Sequence, residues 1–283
     1  MATSVLKSKH SVTSLLGIIN QFHSLAGILP DLRYDCTLNS KYQILPNVAS
    51  EDLKNGVKAP LLRYFGIGVN GKYNVNDTNL SAAYNPSGEE MDLYSPIPFR
   101  VVPRNADLTA AERAQYRLRQ LVTVNGTEYW CYWLKLIDFS GSNIAVSKVN
   151  TTTGEETPYE LDPDNQLSPV PTKYETPDVV DSRDYYVKVA VDAVCKVTGA
   201  EIAEWIDVFK GGDTRYANIS EFGFYTGEDI QHEEITNGVA VKYTEAAYVQ
   251  LAHKRCSTGA DLSDVTASIT ETVSFEHHDN IML

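Results

Sequence analysis

Apolar and polar positions along the chain fall into three regimes. Val12, Leu15, Leu16, Ile18, Ile19, Phe22 and Leu25 recur near a 3.6-residue period, which predicts an amphipathic helix stopped by Gly27 and Pro30. Residues 31–105 hold no sustained period, and Pro46, Pro60, Pro86, Pro96, Pro98 and Pro103 punctuate them. Only Leu61–Val69 reads there as a strand. A stretch of this kind fits an extended arm that orders against neighbours. From residue 106 onward, period-two alternation takes over.

The later elements carry local signals. Thr109-Ala-Ala-Glu112 is a capping box, predicting a helix from there to about Gln120 whose Arg113, Arg117 and Arg119 form a solvated face. Asn125-Gly126 tolerates positive φ and predicts a hairpin between 121–124 and 127–138. One or two short strands fit residues 141–184. Val187, Val189, Val191, Ala193, Cys195 and Val197 alternate with polar residues as a half-buried strand. Thr198-Gly-Ala-Glu201 opens a second capped helix, which Gly211-Gly212 ends. Further strands fit 217–226, 239–252 and 266–276. The expected fold is α+β and β-rich: mainly antiparallel sheet or β-sandwich, a few short helices, and an extended N-terminal arm. Residues 1–105 would form the helix and arm, and residues 106–283 the β-rich body.

Composition then narrows the function. With 43% apolar and 22% charged residues the chain is globular in character. A formal net charge of −13 lacks the cationic footprint that displaces counterions from nucleic acid. No apolar run reaches the roughly 20 residues of a membrane-spanning helix, and the N-terminal stretch, broken by Asn20, Gln21 and His23, does not read as an export signal. Cys36, Cys131, Cys195 and Cys256 make no CxxC pair and read as buried free thiols.

Candidate chemistry is weak throughout. Gly66-Ile-Gly-Val-Asn-Gly71 matches G-x-G-x-x-G, but Lys72–Asp77 is not the helix that a dinucleotide phosphate requires, so it reads as a Gly-rich strand end and turn. His277-His278-Asp279 puts neighbours on opposite strand faces, a poor metal site, and reads as a solvated tail. His232-Glu233-Glu234 reads as a surface turn. The pairs Glu89-Glu90, Glu155-Glu156 and Glu233-Glu234 lie in turn-rich segments, not across a cleft as glycosidase carboxylates do. Tyr129, Trp130, Tyr132 and Trp133 read mainly as packing residues, with at most half of them free to stack on sugars. No catalytic residue, cofactor or metal is expected.

Two groups of segments resemble a known family. One comprises Arg63-Tyr-Phe-Gly-Ile-Gly-Val69, Pro98-Phe-Arg-Val-Val-Pro103, Asp107-Leu-Thr-Ala-Ala-Glu-Arg113 and Tyr132-Trp-Leu-Lys-Leu136. The other comprises Ile219-Ser-Glu-Phe-Gly-Phe-Tyr-Thr-Gly227 and Tyr243-Thr-Glu-Ala-Ala-Tyr-Val-Gln-Leu251. Together they resemble virion structural proteins of tailed bacteriophages, encoded among tail and baseplate genes. The resemblance implies a non-enzymatic tail subunit, placed first at the baseplate and alternatively at the neck as a tail terminator or head–tail connector. Its partners would be other virion proteins and copies of itself, with no membrane and no sequence-specific nucleic-acid contact. It would reside in the virion and, during assembly, in the host cytoplasm. The 17 tyrosines agree in character, since tyrosine gives large contact area with few rotors. The interface candidates are Leu15, Ile19 and Phe22 on the helix and the exposed members of Tyr64, Phe65, Tyr129, Tyr132 and Tyr225. A carbohydrate-binding module using the Tyr129–Trp133 aromatics is the alternative of another class.

Overall fold

Strands account for most of the elements in the computed structural model, which describes residues 3–4, 10–13, 61–75, 80–142, 144–159, 185–236 and 239–279. In chain order they are β1 (Thr3–Ser4), β2 (His10–Thr13), β3 (Leu61–Gly68), β4 (Lys72–Val75), β5 (Leu80–Ala83), β6 (Pro96–Ile97), β7 (Arg100–Pro103) and β8 (Tyr116–Val124). There follow β9 (Thr127–Leu136), β10 (Ile144–Asn150), β11 (Glu156–Pro158), β12 (Tyr185–Thr198), β13 (Asn218–Thr236), β14 (Val239–Asp261) and β15 (Ser268–Asp279). Short helices at Ala110–Arg113 and Gly199–Lys210 complete a mainly-β α+β fold with antiparallel sheets, as expected. The short contact of β1 with β15 is parallel.

The chain divides into two compact units, residues 1–137 with 196–271 and residues 138–195 with 272–283. In the larger unit the main sheet runs β2-β14-β13-β3-β9-β7, with β6 added to β3 and β8 to β9. Its core gathers Tyr64, Phe65 and Ile67 of β3, Phe99, Tyr132 and Leu134, Phe222, Phe224 and Tyr225 of β13, and Tyr248, Val249 and Leu251 of β14. In the smaller unit β10 pairs antiparallel with β11 and with β12, from Ile144 opposite Val191 to Asn150 opposite Tyr185.

Residues 61–75 and 80–105 therefore belong to the same unit as residues 106–137, through β3 and β7, and are not an arm. The expectation failed because β3 is flanked on both edges and its partner strands lie far along the chain. Of the expected N-terminal helix, Val12 lies instead in β2, paired with Lys254 of β14. The remainder of that helix and the arm to residue 60 lie outside the described residues.

Both capping boxes are present, with Thr109 and Thr198 each accepting from the Glu three residues on, and Gly211 closes the longer helix in the left-handed conformation at φ 60°. The first helix stops at Arg113, not near Gln120, and Tyr116 starts β8. Arg117 and Arg119 are correspondingly buried, at 6% and 5% exposure, rather than solvated. Asn125 and Gly126 take φ of 50° and 82° and join β8 to β9, as the sequence requires.

Candidate functional site

Four of the aromatic interface candidates are core residues. Tyr64, Phe65, Tyr132 and Tyr225 are at most 1% exposed. Strands pair on both edges of β3 and β13, and both faces of the middle of β9 are covered, so Tyr132 and Trp133 are buried together although they are sequence neighbours. Tyr129 and Trp130 are half-buried, and the Arg119 guanidinium lies 4.1 Å from the Trp130 ring centroid. Leu15, Ile19 and Phe22 lie outside the described residues.

The G-x-G-x-x-G match forms the end of β3 and the turn that follows it, packed on β13. A Cβ on Gly71 would sit 2.1 Å from the Ser220 carbonyl oxygen, and one on Gly68 would sit 2.7 Å from that of Ser95. The Gly71 N–H donates to the Ser220 hydroxyl at 2.9 Å. Glycine lets this turn lie directly on β13.

Beneath the turn lies a buried charge cluster. Glu221, fully buried, accepts the backbone N–H of Asn70 at 2.7 Å, of Tyr94 at 2.6 Å and of Ser95 at 3.2 Å. Burial pushes its carboxyl above the ordinary value, while those amides and Lys254 pull it back. Lys254, 1% exposed, donates to Glu90 at 2.8 Å and to the Asp92 carbonyl at 3.0 Å, with the Tyr94 ring centroid 3.1 Å away. For Glu90 burial works upward, yet the bonds from Lys254 and Tyr94 hold the carboxyl below its usual range.

A second buried carboxylate joins β8 to β14. Glu245 accepts from the N–H of Leu118, of Arg119 at 3.1 Å and of Ala246 at 3.0 Å. Burial raises its pKa, against those bonds. Leu118 holds the left-handed φ of 56°, a conformation that costs a non-glycine residue about 1–2 kcal/mol. Nearby, Asp229 of β13 accepts from Nε and Nη2 of Arg117, at 2.9 and 3.0 Å, and from the Tyr64 hydroxyl at 2.7 Å. Burial works against ionisation there, but these bonds keep the carboxyl low.

An open concavity of about 400 Å³ is lined by Arg100, Gln115, Tyr116, Lys135, Lys196, Thr198, Ala200, Glu201 and Glu204. Its charges pair with one another. Arg100 grips Glu204 at 2.8 to 3.0 Å, and Glu201 receives Lys135 at 2.7 Å and the Tyr116 hydroxyl. Since Glu201 also caps its own helix and Glu204 takes the Val101 N–H at 2.9 Å, these groups fasten helix to sheet. Such committed carboxylates are poor acids or bases for a substrate.

Among the described residues no three His, Cys, Asp or Glu side chains are grouped to hold a metal ion, and no helix is long and apolar enough to cross a membrane. His232, Glu233 and Glu234 lie within β13, not in a turn. His277, His278 and Asp279 lie at the end of β15, and their side chains are outside the description. Cys131, Cys195 and Cys256 are buried thiols outside any disulfide, as expected, and Cys36 lies outside the described residues.

Sequence reasoning missed Glu221, Glu245 and Lys254. The available signal was a lone charge inside an apolar strand run, as Glu221 stands between Ile219 and Tyr225.

Fold and clusters together define a mainly antiparallel β protein whose described buried charges bind its own backbone and its own counter-charges. The chain belongs to the DUF7208 family, described as a family of unknown function, whose model matches residues 1–273. No curated protein and no solved structure matches the chain.

Proposed function

We propose that the chain is a structural subunit of a phage tail, a baseplate component that works by binding neighbouring subunits. The observation that carries this reading is the β13–β14 hairpin. Its strands run 19 and 23 residues, against a mean of about 5–6 for globular proteins, and its outer part leaves backbone edge beyond the last residue that β3 pairs. A body whose buried charges are spent on its own strands, with a long hairpin left over, suits assembly better than turnover. The resemblance of residues 63–69, 98–103, 107–113, 132–136, 219–227 and 243–251 to tail-gene virion proteins gives the same direction.

The sugar-binding alternative loses support, because Tyr132 and Trp133 are buried and Arg119 stacks on Trp130. Mass spectrometry of purified, cross-linked particles tests the proposal. Recovery with tube, sheath or baseplate proteins is expected, and cross-links to head–tail joining proteins would move the subunit to the neck. Absence from particles, with the protein free in infected cells, would overturn it.

A further inference from the structure

Within the hairpin, β13 and β14 are in register without a shift from Glu228 opposite Ala247 to Thr236 opposite Val239. The register shifts all lie nearer the base, before Glu228. On its other side β13 pairs with β3 only as far as Gly227 opposite Leu61. Asp229, held by Arg117 and Tyr64, marks where the body lets go of that edge. Among the described residues Ile230–Thr236 of β13 pair with no strand but β14. On the opposite edge, β2 pairs with β14 only at 253–256, so that Val239–Thr244 join no strand but β13 among the described residues, with the Tyr243 ring held against Arg113 and Arg119 of the body.

Natural sheets usually blunt such edges with charged side chains, proline or bulges, because unpaired N–H and C=O groups template another strand; here only charge is present, from Glu233, Glu234 and Lys242. Between 218 and 261 there is no proline, and the outer ladder has no bulge. Ile230, Ile235, Thr236, Val239, Val241, Tyr243 and Thr244 are strong strand formers.

The two edges differ in charge. The β13 edge carries Glu233 and Glu234, with Glu228 and Asp229 at its base, whereas Val239–Thr244 carries Lys242 as its one charge. Pairing β13 with β13 of a second copy sets acid against acid. Pairing β13 of one copy with β14 of the next sets acid against base. When two hairpins lie side by side and point the same way, β13 runs outward and the neighbour's β14 runs back. The new pair is then antiparallel and repeats the alternation already present inside each hairpin.

We propose that copies of this chain associate head to tail through the outer hairpin. The Ile230–Thr236 edge of one copy adds as a strand to the Val239–Thr244 edge of the next, building a continuous antiparallel sheet. Such a heterologous contact closes into a ring or propagates, and does not stop at a dimer. The inference rests on reading the chain as an assembling subunit, but not on its place in a particle.

Two charge variants of the full chain test it. Within each hairpin Glu233 and Lys242 face each other at 3.6 Å, with side chains 52% and 74% exposed, so replacing either breaks one exposed pair in every copy alike and leaves the core untouched. Glu233→Lys with Glu234→Lys, and separately Lys242→Glu, should each weaken self-association by roughly tenfold or more, since each sets like charges together. An equimolar mixture of the two variants should associate again, because every contact then pairs opposite signs. Sedimentation velocity over a concentration series reads this. Hydrogen exchange of 230–236 and 239–244 should slow on association on both edges. A wild-type chain that stays monomeric, stops at dimers, or associates with these amides still exchanging at the monomer rate would overturn the proposal. So would a mixture that fails to recover while both variants keep the wild-type circular dichroism. Recovery of the chain in particles with unprotected hairpin amides sinks this inference alone and leaves the tail-subunit reading standing.

Discussion

Replacing Glu221 tests whether a buried carboxylate is holding the turn to β13. In Glu221→Ala the part-buried N–H groups of Asn70, Tyr94 and Ser95 lose the fully buried carboxylate that accepts from them. Each unsatisfied buried donor costs about 1–3 kcal/mol, so the low end for three is about 3 kcal/mol. That is a large part of a total stability of about 5–15 kcal/mol. At about 2–4 °C per kcal/mol, the melting midpoint should fall by roughly 6–12 °C. Differential scanning calorimetry measures it, and a fall below about 3 °C would show that the amides do not depend on this side chain.

Glu221→Gln then separates charge from hydrogen bonding. Burial raises the carboxyl of the folded protein above its ordinary 4.5, so the folded state holds this proton more tightly than the unfolded state does. Stability from this group is therefore full below pH 4.5 and is lost as pH rises through the raised value. The glutamine variant does not titrate there, so the difference between the proteins should move in its favour as pH rises from 4 toward 8. Movement the other way would mean that the three amides and Lys254 outweigh burial, and the sign of the argument would be wrong.

Gly71→Ala should abolish soluble folded protein or lower its melting midpoint steeply, because the new Cβ meets the Ser220 carbonyl at 2.1 Å. Gly126→Ala, with open space but φ of 82°, should cost only about 1–2 kcal/mol on the same melting curve. Thr198→Ala should destabilise by about 1 kcal/mol through loss of the helix cap, read by urea titration. Burial pushes the thiols of Cys131 and Cys256 up to about 12, so iodoacetamide at pH 8 should leave both unmodified in the native protein and alkylate both in denaturant, as peptide mass spectrometry reports.

What was legible in the sequence was local. Asn125-Gly126 specified its hairpin and the two Thr-x-x-Glu boxes specified their helix starts, since each depends on residues within one turn. The stretch Tyr116–Val124 was misread in its first half. Its arginines looked solvated because their partners, Asp107 and Asp229, are set by the fold and, for Asp229, lie more than a hundred residues away. Residues 61–105 looked like an arm for a related reason. Their strands are short, and β3 earns its place only against β13 and β9. The hairpin from 218 to 261 was seen as two shorter strands, because His232-Glu233-Glu234 resembles a turn in composition while pairing regularly with 241–243.

The buried carboxylates and the open hairpin edge bear on the same question, namely where backbone pairing ends. At β8 against β14, Glu245 supplies the acceptor that a neighbouring strand would otherwise offer. At the turn over β13, Glu221 does the same for three amides. These placements carry a desolvation cost that a simple sheet edge in water avoids, so they mark edges that the fold keeps shut. Ile230–Thr236 has no such acceptor among the described residues, nor a proline or bulge. A chain that seals its internal edges with buried charge, yet leaves this one regular and rich in strand formers, has kept it available for pairing. The acid on one side and the lysine on the other then select which edge pairs with which.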